Sequence, residues 1–264
     1  MTARRAILAV VVTAAALAGA GAACAPLPSG GGIPLRVMTY NIRSGNGNLV
    51  QVGEAIRQLA PDVVALQEVD VRWHERSNFV DEAATLGREL GMDVRFAPIY
   101  SLPRLPIGGD GPREFGVALL SRYPIVAFSN DSIARLSTQE QNPVPALAPG
   151  LLDVTLDVRG TRVRVFNTHL DYRKEPAVRA RQVHEMLGHI GSLETPTLVF
   201  GDMNAGPGAP ELQPLLAHLR DAWSGSADPG FPYPADRPTD RIDYVLLSPQ
   251  FRVTSTRVPG VEAS

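Results

Sequence analysis

The chain has 264 residues, with 25 Lys and Arg against 27 Asp and Glu, and 44% hydrophobic residues. That is enough for one large domain with a well-buried interior. The net charge of −2 is not that of a protein holding long nucleic acid through many phosphate contacts, although a local basic patch stays compatible with it.

Arg4 and Arg5 precede an uncharged apolar run from Ala6 to Ala18, followed by the small residues Gly19 to Ala23. A basic start, a short apolar stretch and small residues predict a signal peptide over residues 1–23, too short for a membrane span. Cys24, the only cysteine, falls where bacterial lipoproteins carry an acylated cysteine, although Gly21 stands where such signals place Leu, Val or Ile. The alternative is ordinary cleavage after Ala20-Gly21-Ala22. One thiol excludes an intrachain disulfide, so the domain rests on its own core. The expected localisation is exported, extracellular or anchored to the outer face of the cytoplasmic membrane.

Residues 24–33 read as a flexible tether rich in Pro, Gly and Ser. Leu35 to Tyr40 reads as a strand, Leu49 to Ala60 as a helix stopped by Pro61, and Val63 to Leu66 as a buried strand. Asp81 is placed to cap a helix running to Leu90, with Gly91 as its stop. Phe115 to Leu120 and Ile125 to Phe128 read as a strand pair around the Tyr123-Pro124 turn. Leu151 to Val158 and Val163 to Asn167 alternate and read as a hairpin through Arg159-Gly160. Glu175 to Ile190 reads as a helix, Thr197 to Phe200 as a buried strand, and Glu211 to Leu219 as a short helix. Arg241 to Leu247 and Phe251 to Arg257 close the chain as strands, with loops over 101–112 and 224–240. The pattern is mixed α/β, and its hairpins exclude a purely parallel sheet.

Polar side chains stand at the ends of these strands: Asn41, Glu68, His169, Asp202 with Asn204, and Asp243. Singly, an Asp after a strand is a cap or turn residue and a lone His is a satisfied one. Together they converge on one rim of a sheet, where α/β folds place their sites.

Six segments then occur in order: Thr39-Tyr40-Asn41-Ile42, Leu66-Gln67-Glu68-Val69, Ala118 to Pro124, Asn167-Thr168-His169-Leu170-Asp171, Gly201-Asp202-Met203-Asn204 and Arg241-Ile242-Asp243-Tyr244. This series, from about Leu35 to the C-terminus, resembles that of the endonuclease/exonuclease/phosphatase superfamily, which includes DNase I-like nucleases, inositol polyphosphate phosphatases and sphingomyelinases. The resemblance implies a four-layer α/β-sandwich over residues 34–264, with two mixed, mostly antiparallel sheets flanked by helices.

It also implies residue roles. Glu68 is the principal metal ligand, helped by Asn41, and a site of carboxylate and amide oxygens suits Mg²⁺ or Mn²⁺ better than Zn²⁺. Asp202 accepts a proton from the attacking water, Asn204 orients Asp202 and the phosphate, and His169 donates to a phosphate oxygen. Glu114 resembles the acid that orients that histidine, and Arg76, with Asp81, a substrate contact near the mouth of the site, the alternative being a loop arginine paired with the Asp81 helix cap. The family's Asp243 supports a second histidine from a Ser-Asp-His motif on the last strand. Here Ser264 stands where that motif begins, so the sequence reads as stopping short of its last strand and Asp-His pair, and the chain as written is expected to hydrolyse little or nothing. The acidic-x-Arg pair of many relatives is absent from Pro143 to Pro149.

The expected activity is metal-assisted hydrolysis of a phosphoester by an exported, monomeric enzyme. A lipid headgroup or small phosphoester is favoured over nucleic acid, with similarity to the hydrolase-like domain of the eukaryotic GPI-remodelling proteins. The alternatives are a secreted nuclease and an inactive binding protein on the same scaffold. A serine hydrolase is excluded, because no Ser occupies a G-x-S-x-G turn with a partner His.

Overall fold

The computed structural model describes residues 8–14, 32–107, 109–224, 226, 230 and 239–258. The strands are β1 (Leu8–Ala14), β2 (Ile33–Asn41), β3 (Val63–Val71), β4 (Asp93–Leu102), β5 (Arg113–Ser121), β6 (Ile125–Arg135), β7 (Ala146–Val158), β8 (Thr161–His169), β9 (Thr197–Asp202), β10 (Arg220–Asp221), β11 (Asp243–Leu247) and β12 (Phe251–Arg257). The helices are α1 (Leu49–Leu59), α2 (Glu82–Leu90), α3 (Ala177–Ile190) and α4 (Gln213–His218). One sheet runs β12-β1-β2-β3-β5-β4 and the other β10-β11-β9-β8-β7-β6. Among the described residues only β2/β3 and β8/β9 pair in parallel, so both sheets are mixed and mostly antiparallel, as expected. The apolar run read as part of a signal supplies β1, antiparallel to both β2 and β12. Cys24 lies outside the described residues, and no described helix is long and apolar enough to cross a membrane.

Local signals decide where the helices begin and end. The Asp81 carboxylate accepts from the Ala84 N–H and opens α2, and Gly91 closes it at φ 62°. Asn48 accepts from Gln51 N–H and opens α1. Arg159 and Gly160, both with positive φ, make the tight turn of the β7/β8 hairpin.

Alternation along the strands builds the layers. Val63 and Ala65 of β3 face the second sheet, meeting Leu152, Val165 and Phe200 in the central core. Val64 and Leu66 face the other way, against Val52 and Ile56 of α1 and Leu86 of α2. On the far side Phe166, Val199 and Leu246 pack on Val183, Met186 and Ile190 of α3. Each sheet is thus covered on both faces, which is why these strands read as continuous apolar runs.

Several elements differ from expectation. β5 and β6 are not a pair: β5 lies between β3 and β4, whereas β6 joins β7 in the other sheet, so Tyr123-Pro124 is the crossing between sheets. β4 was not expected, because its half-buried residues carry no clean alternation. The Glu211 to Leu219 helix is split into a 3₁₀ turn over Pro210–Leu212 and the short α4.

Candidate active site

The two parallel strand pairs aim their C-terminal ends at the same rim. Asn41 ends β2, His169 ends β8 and Asp202 ends β9, while Asp243 opens β11 directly opposite Asp202. The rim is where the two sheets meet: the Asn41 side-chain amide donates to Glu68 Oε1 at 2.8 Å and to Asp202 Oδ2 at 2.9 Å. His169 Nε2 lies 3.5 Å from Asp202 Oδ2. Glu68, His169 and Asp202 each offer a ligand atom within 4.8 Å of the others.

Glu68 reaches this cluster through a bulge. Val64, Leu66 and Val69 all pack on the helix side, so one extra residue is inserted between Leu66 and Val69. Glu68 sits in it at φ 54°, a left-handed conformation that costs a β-strand residue about 1–3 kcal/mol. The regular alternation would point Glu68 into the α1/α2 layer; the bulge turns it to the rim instead.

A buried amide pair, which the sequence reading did not single out, holds that bulge. Gln67 Nε2 donates to Asn167 Oδ1 at 2.8 Å, crossing from one sheet to the other. Asn167 Nδ2 donates in turn to the Leu66 and Ala118 carbonyls, both at 2.9 Å. Both residues are fully buried and their hydrogen bonds satisfied on each side, which is the condition for keeping polar groups in such a core. Their neighbours in sequence are Glu68 and, two residues on, His169. Two amides in otherwise apolar strands beside the site acids are the signal that could have exposed them.

The remaining expected residues fall as follows. Asn41, expected to aid the metal, accepts from Arg43 N–H through Oδ1 at 3.1 Å, and its amide nitrogen gathers the two carboxylates. Asn204 orients Asp202 through its backbone N–H, 3.0 Å from Oδ1, while its side chain holds the Leu170 carbonyl at 2.9 Å. Asp243 is buried beside Asp202. Glu114 does not orient His169: its partner is Arg72, at 3.8 Å, and the acid beside His169 is Asp202. Arg76 is bound to Asp70 through Nε and Nη2, both at 2.9 Å, rather than to Asp81, and its guanidinium lies over Phe115 with a centroid distance of 5.8 Å. Asp70's hydrogen bonds hold the Arg76 charge firmly, raising its pKa.

A cavity of about 380 Å³ opens beside Glu68 and His169, walled by Ile99, Tyr100, Phe115, Leu136, Leu170 and Tyr172. Trp73, Tyr100 and Phe115 pack together on that side, with centroids 5.8–6.3 Å apart. The site therefore joins an acidic cluster to a mostly apolar chamber.

The profile described as the Endonuclease/Exonuclease/phosphatase family matches residues 38–264. Among solved structures, the chain is similar to an endonuclease/exonuclease/phosphatase from Beutenbergia cavernae at 26% identity and a TM-score of 0.59, covering 81% of this chain and 64% of that one. It spans, then, just under two thirds of that relative's length. The catalytic domain of human Nocturnin with bound sulfate is similar at 20% identity and TM-score 0.57, covering 81% and 82%. A mannosyl-6-phosphatase from Bacteroides thetaiotaomicron is similar at 15% identity and TM-score 0.55, covering 81% and 85%. The last two likenesses are of fold. A search among curated proteins gives no match.

Proposed function

The chain belongs to the endonuclease/exonuclease/phosphatase family, typically phosphoester hydrolases that depend on a divalent metal, and on that footing we propose an exported Mg²⁺- or Mn²⁺-dependent hydrolase of a lipid headgroup or small phosphoester. The observation that carries this reading is the convergence of Glu68, His169 and Asp202 within 4.8 Å at the rim between the sheets. The Glu68 and Asp202 carboxylates suit such an oxygen-preferring ion, with the His169 imidazole beside them.

Glu68, with Asp202 and His169 beside it, would hold the ion, whose contribution is to neutralise charge on the phosphoryl oxygens. Asp202 takes a proton from the attacking water as the water oxygen bonds to phosphorus, and the bond from phosphorus to the leaving oxygen breaks on the opposite side. The leaving oxygen takes its proton from solvent. His169 donates to a non-bridging oxygen of the phosphoryl group. Asn41 holds the two carboxylates at one spacing, and Asn204 fixes Asp202 from behind.

The apolar chamber next to the cluster supports a compact substrate carrying apolar surface, and the acidic net charge disfavours long nucleic acid. Arg4, Arg5 and the apolar run after them support export, and acylation at Cys24 would hold the domain at a membrane surface. The relatives of this fold include Nocturnin and a mannosyl-6-phosphatase, so the fold alone does not choose among phosphoesters.

The test is turnover of phosphatidylinositol, sphingomyelin, inositol phosphates and supercoiled plasmid with Mg²⁺ or Mn²⁺ by the chain extended with the strand and Asp-His pair that the family resemblance implies. Cleavage of a headgroup or small phosphoester, lost with EDTA and in E68Q, is expected. Preferential nicking of the plasmid would overturn the choice of substrate, and full activity in E68Q would overturn the site.

A further inference from the structure

Arg135, the last residue of β6, is buried beneath the site described above. Its Nε donates to the Pro149 carbonyl at 2.7 Å, Nη1 to the His169 carbonyl at 2.9 Å, and Nη2 to the Gly150 carbonyl at 2.9 Å and the Thr168 hydroxyl at 3.4 Å. The other buried arginines of the described residues are ion-paired: Arg179 with Glu211 at 2.6 Å and Arg241 with Asp221 at 2.5 Å. The hydrogen-bond acceptors of Arg135 are three carbonyls and a hydroxyl. Taking a guanidinium out of water without a contacting carboxylate is costly, and burial pushes its pKa down to about 10. A neutral apolar side chain would fill the space more cheaply, but it would take this donor from the Pro149 and His169 carbonyls.

The bonds run to a particular place. Arg135 joins three strands, taking the start of β7 at Pro149 and Gly150 and the end of β8 at Thr168 and His169. Gly150 leaves room for it and for Ile99: a Cβ there would lie 2.4 Å from Ile99 Cγ1, 2.6 Å from Arg135 Nη2 and 3.0 Å from its Cζ, in a backbone already at φ 119°. Thr168 completes the tie by donating to the Gly150 carbonyl at 3.1 Å. On the next peptides, Asn204 holds the Leu170 carbonyl and Gln182 accepts from Asp171 N–H at 2.9 Å. The His169 peptide is thus the one in this run held by a side chain from β6.

We propose that Arg135 is a positioning residue for His169: its planar fork clamps the peptide that carries the imidazole, and so sets where Nε2 meets Asp202 and the Glu68 side of the cluster. The clamp needs the fork rather than the charge, because an ammonium on a flexible stem cannot bond four acceptors in one plane. The inference rests on the reading of Glu68, His169 and Asp202 as the reacting cluster, and gives Arg135, which also lines the cavity beside them, a role through the His169 peptide.

The test compares the wild-type chain with R135K and T168V, using thermal melting, Mn²⁺ titration followed by electron paramagnetic resonance, and the His169 ring signal in ¹H–¹³C spectra, assigned with H169Q. Groups that orient ligand residues typically cost 10–100-fold in metal affinity or activity when lost, so R135K is expected to weaken Mn²⁺ binding about tenfold. It should also shift or broaden the His169 signal, and lower kcat on the best substrate more than it changes KM. T168V, which removes one acceptor and one donor, is expected to move the same quantities by about two- to threefold, within the smaller range of a single neutral hydrogen bond. An R135K chain with the wild-type Mn²⁺ affinity and His169 signal, but a lower Tm, would make Arg135 a stability residue and overturn the proposal. If R135K does not fold, T168V decides, and an unmoved His169 signal there overturns it. Wild-type chain that binds no Mn²⁺ would sink the metal reading of the cluster while leaving the His169 signal as a test of the clamp.

Discussion

Glu68 and Asp70 stand two residues apart on β3 and serve different ends. Asp70 is fully buried and met by donors of its own chain: the Arg76 guanidinium twice at 2.9 Å, the Ser44 hydroxyl at 2.9 Å and the Ser77 hydroxyl at 2.8 Å. Glu68, thrown out by the bulge, is gathered instead with a second carboxylate and an imidazole. The first arrangement neutralises a charge inside the fold and ties the turn over Glu75–Ser77 to the strand. The second collects negative charge at a rim that a substrate can reach. Two acids on one strand are therefore told apart by what converges on them, not by their residue type or their burial alone.

The largest effect expected from breaking this contrast is on the site side. D202N should lower turnover by about 10²–10⁴-fold, the range for loss of a proton acceptor, with Tm unchanged or raised. Steady-state kinetics beside a melting curve will show it, and a D202N enzyme that loses Tm along with activity would place Asp202 among the structural acids.

On the other side the expected loss is of stability. R76A leaves the Asp70 carboxylate buried with only hydroxyl donors and should cost about 3 kcal/mol, at the lower end for breaking a buried pair. D70N should cost less, about 1–2 kcal/mol, because the Arg76 side chain it releases is 49% exposed and can reach water. Urea unfolding of both variants measures the asymmetry; D70N costing more than R76A would reverse the reading of that pair.

Glu82 extends the same structural cluster and gives it a pH dependence. It is buried against Asp70, accepts from the Asp70 N–H at 2.8 Å, and burial pushes its pKa up to about 8. The folded state thus holds this proton more tightly than the unfolded chain does. Its contribution to stability is full below the ordinary carboxyl pKa of about 4.5 and is lost as pH rises through about 8. The urea midpoint should fall across that window in the wild type and less steeply in E82Q. Equal slopes in the two would remove Glu82 as the cause.

The smallest effect is expected for D81A, whose charge is only a minor contributor to the raised Glu82 pKa. Loss of the cap on α2 should cost about 1 kcal/mol and leave turnover within twofold. A large loss of activity there would extend the site into the α2 cap.

Much of the frame was legible in sequence. The caps of α2, the turn at Arg159-Gly160 and the runs that became β2, β3, β8 and β9 are local signals, since each depends on a few neighbouring residues and their preferred dihedrals. The order Asn41, Glu68, His169, Asp202 at strand ends pointed to one rim, and the fold brings these four together. The separation of β5 from β6 was not legible, because a tight Tyr123-Pro124 turn is equally compatible with a hairpin and with a crossing between sheets. Nor was Glu114's engagement with Arg72, or Arg76's with Asp70, for a charged side chain carries no mark of which opposite charge the fold will bring to it.

By itself, then, the sequence determined the alternating elements, their ends and the residue types that could do phosphoester chemistry, because those follow from spacing and from side-chain chemistry. Only the tertiary structure decided that Glu68 leaves the regular strand through a bulge, that Gln67 and Asn167 join two sheets beneath it, and that Arg135 holds the His169 peptide from β6. Those choices rest on contacts between residues 34 to 101 positions apart, which exist only once the second sheet has formed and the two sheets have packed on each other.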